Sequence, residues 1–222
     1  MIRDVPELIE TLPVLQRLAL SYAPKASKIQ TLTLLALDAR LAEVVRSASE
    51  PIMAQLRLAW WRDMFAKPAQ EWPEREPLLA NLKVWEGEVT ALSGLVDGWE
   101  AMTAQAPLPI SAMQDLANAR GETFGALACL LNESSDSEQA ARAGRNWAVA
   151  DIASRLTHPE ERAAAAGLAN TLEWKRAKLS RKLRPLVVLH GLAARSHSRG
   201  ERLDELSATA ILPIMRLGLL GT

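Results

Sequence analysis

Apolar residues recur three and four positions apart along nearly the whole chain and almost nowhere alternate singly with polar ones, so helices are predicted throughout and strands hardly at all. Asp4 caps a first helix with Pro6 in its opening turn, and Leu8, Leu12, Leu15 and Leu18 or Ala19 form its inner stripe. Pro24 opens a second helix reaching Ser47, with Ile29, Leu32, Leu35 or Ala36, Ala39 and Val44 on one face. Ser49, Glu50 and Pro51 start a third, predicted to turn Met53, Leu56, Trp60 and Met64 inward. Pro68, Pro73 and Pro77 with Trp72 mark a connector, the stretch most open to trimming or movement, followed by shorter helices around 77–86 and 88–104. Ser111 with Gln114 and Ser135 with Glu138 have capping-box spacing and open helices over 111–131 and 136–156. A long helix is predicted from Pro159 to Leu183, another from Pro185 to Arg195, and a last from Leu203 to Leu220, kinked at Pro213. The fold class is all-α, a helical bundle in a single domain over residues 1–222, with short loops implying antiparallel neighbours.

Composition narrows the functional classes. With 26 Lys+Arg against 26 Asp+Glu, the net charge is zero, which removes the overall attraction most nucleic-acid binders use; no nucleic-acid partner is expected. The hydrophobic share of 49% excludes a disordered chain. One cysteine, Cys129, forms neither an internal disulfide nor a multi-cysteine zinc site, and its apolar neighbours predict a buried small hydrophobe. No apolar run is long enough to span a bilayer, and Asp4, Glu7 and Glu10 interrupt any leader-like start. A cytoplasmic location is expected, with peripheral contact at the inner face of the membrane.

Residues 32–63, LTLLALDARLAEVVRSASEPIMAQLRLAWWRD, carry a resemblance. Glu50-Pro51 followed by Arg57-Leu-Ala-Trp60-Trp61-Arg62-Asp63 resembles the squalene/phytoene synthase family, especially its divergent branch of respiratory complex I assembly factors. Arg120-Gly-Glu-Thr-Phe-Gly125, Gly144-Arg-Asn-Trp-Ala-Val-Ala-Asp-Ile152 and Arg184-Pro-Leu186 follow in the family's order, so the resemblance covers about residues 17–195.

The resemblance implies an isoprenoid-synthase-like bundle around a central cavity, where active members hold Mg²⁺ between aspartates four apart on two facing helices. Aligned from Arg40, the first aspartate pair falls on Glu43 and Ser47; in the second motif the family's Gln, Asn, Arg and Asp fall on Ala148, Asp151, Ser154 and Arg155, so an arginine replaces the metal-binding aspartate. These positions, Glu43, Ser47, Asp151 and Arg155, thus form degenerate metal motifs. An arginine about 4 Å from a divalent cation would be repelled by several kcal/mol. No catalytic residue, resident metal or other cofactor is expected, and Mg²⁺ enters only under the alternative of an active prenyltransferase using Glu43, Asp38 and Asp151.

The remaining candidates each carry a plainer alternative. Arg57, Trp60, Trp61, Arg62 and Asp63 form either a cavity wall, a partner face, or a packed helix with a salt-bridged side, since adjacent helix residues diverge by about 100°. Glu43 and Asp151 also read as ion-pair partners of Arg40 and Arg155. His158, His190 and His197 lack a second ligand at metal spacing, and His158 reads as a turn or cap before Pro159. Lys175, Lys178 and Lys182 fall on one face of the long predicted helix with Arg181 nearby, an anionic-surface site or a solvated basic face. The functional expectation is a non-catalytic binding or assembly protein: a respiratory complex subunit as partner, an isoprenoid or lipid as ligand, and an anionic membrane as peripheral contact.

Overall fold

The structure, a computed structural model, describes residues 5–203 and 211–220. It is all-helical, with no strand among those residues. The helices are α1 Val5–Glu10, α2 Val14–Ser21, α3 Lys28–Ser47, α4 Pro51–Phe65, α5 Pro77–Leu82, α6 Val89–Ala101, α7 Ile110–Leu130, α8 Ser137–Arg155, α9 Pro159–Asn170, α10 Arg184–Arg199 and α11 Ile211–Leu220. Asp4 and residues 204–210, to which a cap and the start of the last helix were assigned, lie outside the described residues.

The centre of the bundle is α3. Eight consecutive residues, Thr31 to Asp38, are buried, so this stretch is covered on every side and not along a single stripe. Around it α6, α7 and α8 stack in succession, and α10 covers α8. The α7–α8 contact is close because both helices present glycine there. A Cβ on Gly121 would meet the Ala141 carbonyl oxygen at 2.6 Å, and one on Gly144 would lie 2.7 Å from the Phe124 ring. Phe124 in turn meets Trp147 edge-to-face at 5.7 Å.

Several elements depart from the sequence reading. The first helix is two, because Pro13 has no N–H to continue α1 and instead leads into α2. The second begins at Lys28, after a turn closed by the Ser27 N–H donating to the Pro24 carbonyl. Neither capping box forms: α7 starts after Pro109 and α8 after Asp136 without a side-chain cap. Ser137 instead donates to the Gly125 carbonyl, tying α8 to α7. The connector is anchored, since Trp72 is buried against Phe65 and its indole N–H donates to the Lys67 carbonyl. Cys129 is half-buried rather than buried.

The largest departure is the predicted helix over 159–183. α9 ends at Asn170, and residues 172–180 run without helix. Side chains of α8 take over the backbone groups a helix would have used: Asn146 donates to the Glu173 carbonyl at 2.8 Å, and Arg142 to the Glu173 and Lys175 carbonyls. The Ser180 N–H donates to Asp136 at 2.7 Å. Trp174 folds back, its indole N–H on the Ala169 carbonyl and its ring stacked 4.7 Å from His197. At the end of α10, Gly200 has φ +64, a left-handed conformation that costs glycine least.

Candidate functional site

The side chains that meet at the bundle centre come from α3, α6, α7 and α8. Burying Asp38 in the apolar heart of α3 requires partners for both its oxygens. Arg120 of α7 supplies two, donating from Nε to Oδ1 and from Nη2 to Oδ2, each at 2.8 Å. The Trp99 indole N–H of α6 adds a third to Oδ1 at 2.9 Å. From the same guanidinium Nη1 donates to Asp151 Oδ2 of α8 at 2.9 Å. Arg155, one turn further along α8, grips Asp151 through Nε at 3.0 Å and Nη2 at 2.9 Å. The Arg120 guanidinium also lies 5.0 Å from the ring centroids of both Trp99 and Trp147.

Arg120, Asp38 and Asp151 are all buried. Burial alone would push Asp151 up, but the Arg120 and Arg155 guanidiniums together outweigh it and hold the carboxyl below the usual range. Burial likewise works against the Arg120 charge, and the two carboxylates more than restore it, so the ion stays charged.

Beside this network lies a cavity of about 490 Å³. Its wall is mainly apolar, with Val45, Trp99, Met102, Leu116 and Ile152 among the lining residues, and Arg46, Arg120, Arg155 and Arg202 complete the lining. A second cavity of about 470 Å³ lies against Gln16 and Trp147, and Asp151, Ser154 and Arg155 line both. The Asp151–Arg155 pair is therefore a partition between two spaces.

The carried-over positions divide. α3 and α8 do face one another across the larger cavity, and Asp151 and Arg155 sit on it. Glu43 and Ser47 do not: both are exposed, and Glu43 pairs with Arg46 rather than Arg40, which reaches Glu76 at 3.7 Å. Five residues of helix turn Glu43 about 140° away from Asp38, so the carboxylate that α3 contributes is Asp38. The donor set does not suit Mg²⁺. Every oxygen of Asp38 and Asp151 accepts from a guanidinium, and no group of three His, Cys, Asp or Glu side chains able to hold a metal occurs among the described residues.

Of the other candidates, Trp60 and Trp61 are T-shaped at 5.1 Å, but neither lines the cavity. Trp61 is core, while Met53, Leu56 and Trp60, predicted inward, are exposed. Met64, also predicted inward, is buried, and with Ala54, Leu58, Trp61 and Phe65 it forms the inner stripe of α4. Arg62 bridges to Asp97 and Glu100 of α6; Arg57 and Asp63 are exposed. The basic stripe is corrected too: without the helix, Lys175 pairs with Glu173, Lys182 pairs with Glu133 and donates to the Leu131 carbonyl at the end of α7, and Lys178 and Arg181 are exposed. No helix therefore carries these four side chains on one face. Among the described residues no helix is long and apolar enough to cross a membrane.

Arg120, Trp99 and Trp147 were missed as site residues, although Arg120 is the one charge among Leu116, Ala117, Thr123, Phe124 and Leu127 on the buried side of α7. A charge in such a setting signals a buried partner.

His190 of α10 is buried, and burial, aided by Arg142, lowers it to about 4. Its folded pKa lies below the unfolded value, so the unfolded chain binds the extra proton and stability falls as pH drops from about 6.5 toward 4. Acidification from pH 7 to 5 is expected to cost about 2 kcal/mol through this group. His190→Gln should remove that slope in urea-unfolding midpoints measured across the interval; an unchanged slope would assign it elsewhere.

No family model matches the chain, and no curated protein or solved structure matches it either.

Proposed function

We propose that the protein is a non-catalytic, squalene/phytoene-synthase-like binding protein whose cavity takes an isoprenoid or lipid with an apolar tail and an anionic head. Its task, by the resemblance of its Glu50–Asp63 and Arg120–Gly125 segments, is the maturation of a respiratory complex subunit at the membrane surface. The observation that carries the reading is Arg120, which occupies both buried carboxylates beside the cavity. A prenyl diphosphate needs a divalent cation to neutralise its leaving group, and a lone guanidinium pair does not replace carboxylate ligands for that ion. The cavity offers apolar wall for a chain and the Arg155 guanidinium for a head group.

Purified protein with farnesyl or geranylgeranyl diphosphate is expected to show a rise in melting temperature that is equal in Mg²⁺ and in EDTA, with no pyrophosphate released. Arg155→Gln should weaken that binding about tenfold, the loss of one charge-assisted contact. Product formation in Mg²⁺, above a boiled control and abolished by Asp151→Asn or Glu43→Ala, would make the protein a prenyltransferase. Absence of any shift with both diphosphates would sink the ligand reading.

A further inference from the structure

The outer face of α4 is apolar and uncovered. Ile52, Met53, Leu56 and Trp60 are 52%, 42%, 60% and 40% exposed, and their spacing puts them on one side of the helix. Such a contiguous patch marks an interaction surface more often than a run of scattered exposed residues does. Its rim is charged unevenly. Asp63 continues the stripe one turn beyond Trp60, and Glu50 precedes it; both are exposed and neither has an ion pair among the described residues. On the α6 edge Asp97 and Glu100 share the single guanidinium of Arg62. Arg57, on the opposite edge, offsets part of this.

We infer that this face docks an amphipathic helix of a partner protein, apolar toward Leu56 and Trp60 and carrying Lys or Arg along the flank that meets Asp63 and Asp97. Helix-in-groove recognition uses apolar anchors at this spacing, and the acidic rim selects a basic segment. A second copy fits poorly. Two-fold pairing with antiparallel α4 helices sets one Asp97 edge against the other, and parallel pairing sets Asp63 against Asp63. An anionic bilayer meets the same repulsion. The inference deepens the binding-protein reading but does not depend on the cavity.

The full chain carrying the photo-crosslinker benzoylphenylalanine in place of Leu56 is expressed in its host and illuminated, with Lys175 replaced likewise as the off-face control. The expected adduct is to a second protein, at a segment with apolar residues three or four apart and net positive charge. The matching synthetic peptide should bind the purified protein and lose at least tenfold in affinity on Trp60→Ser or Asp63→Lys. Both variants should keep the diphosphate-induced melting shift, which separates failure here from failure of the cavity reading. Adducts to lipid, to a second copy or to an acidic segment overturn the inference, as does no adduct above the Lys175 control or a peptide indifferent to both variants.

Discussion

Arg120→Met is expected to cost about 3–5 kcal/mol of stability, the largest effect of any single substitution in the chain, because it leaves two buried carboxylates without their shared cation. The measurement is a urea-unfolding midpoint at pH 7, with the slope checked for constancy. Replacing the three charges together, Asp38→Asn, Arg120→Met and Asp151→Asn, should lose less than Arg120→Met alone, since no uncompensated charge then remains. Acid acts on the same network. The Asp151 carboxyl is held below its ordinary range, so its contribution is complete above about pH 4, where the unfolded group ionises, and is lost as pH falls through the folded value. That window lies below the one set by His190. If Arg120→Met unfolds at the wild-type midpoint, the network does not hold the bundle together.

Gly121→Val is expected to be the second most damaging change. Even the Cβ of alanine would sit 2.6 Å from the Ala141 carbonyl oxygen, a backbone atom inside α8 that yields only if the two helices separate. Overpacking of this kind costs about 1–3 kcal/mol, and the valine methyls add to it. Separating α7 from α8 would also pull Arg120 from Asp151, so the two losses should be far from additive in a Gly121→Val, Arg120→Met double variant. Gly94 of α6 is the control. A Cβ there meets nothing within 4 Å, and Gly94→Ala should stabilise by about 0.5–1 kcal/mol, the ordinary helix preference. Equal effects at the two glycines would show that the α7–α8 approach is not limiting.

Helix positions were readable because the signals that start and stop helices are local. Pro51 and Pro159 open α4 and α9 where they were expected to, whereas α10 runs past its expected end at Arg195 to Arg199, where Gly200 closes it. The candidate site was readable only in part. Asp151 and Arg155 stand one helical turn apart and pair as their spacing suggested. Motif register along the chain points to Glu43 as the facing carboxylate, whereas Asp38, five residues earlier, has the correct angle on α3 to reach Arg120. Trp99 and Trp147, which flank that guanidinium, carry no mark in their own neighbourhoods, since their partner lies on another helix.

The all-helical class, the termini of most helices and the lack of a bilayer-spanning helix in the described residues follow from residue order alone, because each depends on neighbours within a few positions. Packing settled the rest. α4 is apolar on two sides, and its propensity is indifferent to which one is buried; the fit of Trp61 and Phe65 against the core turned Leu56 and Trp60 outward. Residues 171–180 lie in a stretch with the periodicity of a helix, yet Asn146, Arg142 and Asp136 offered their backbone groups other partners, and a segment whose hydrogen bonds are met elsewhere has no need to coil.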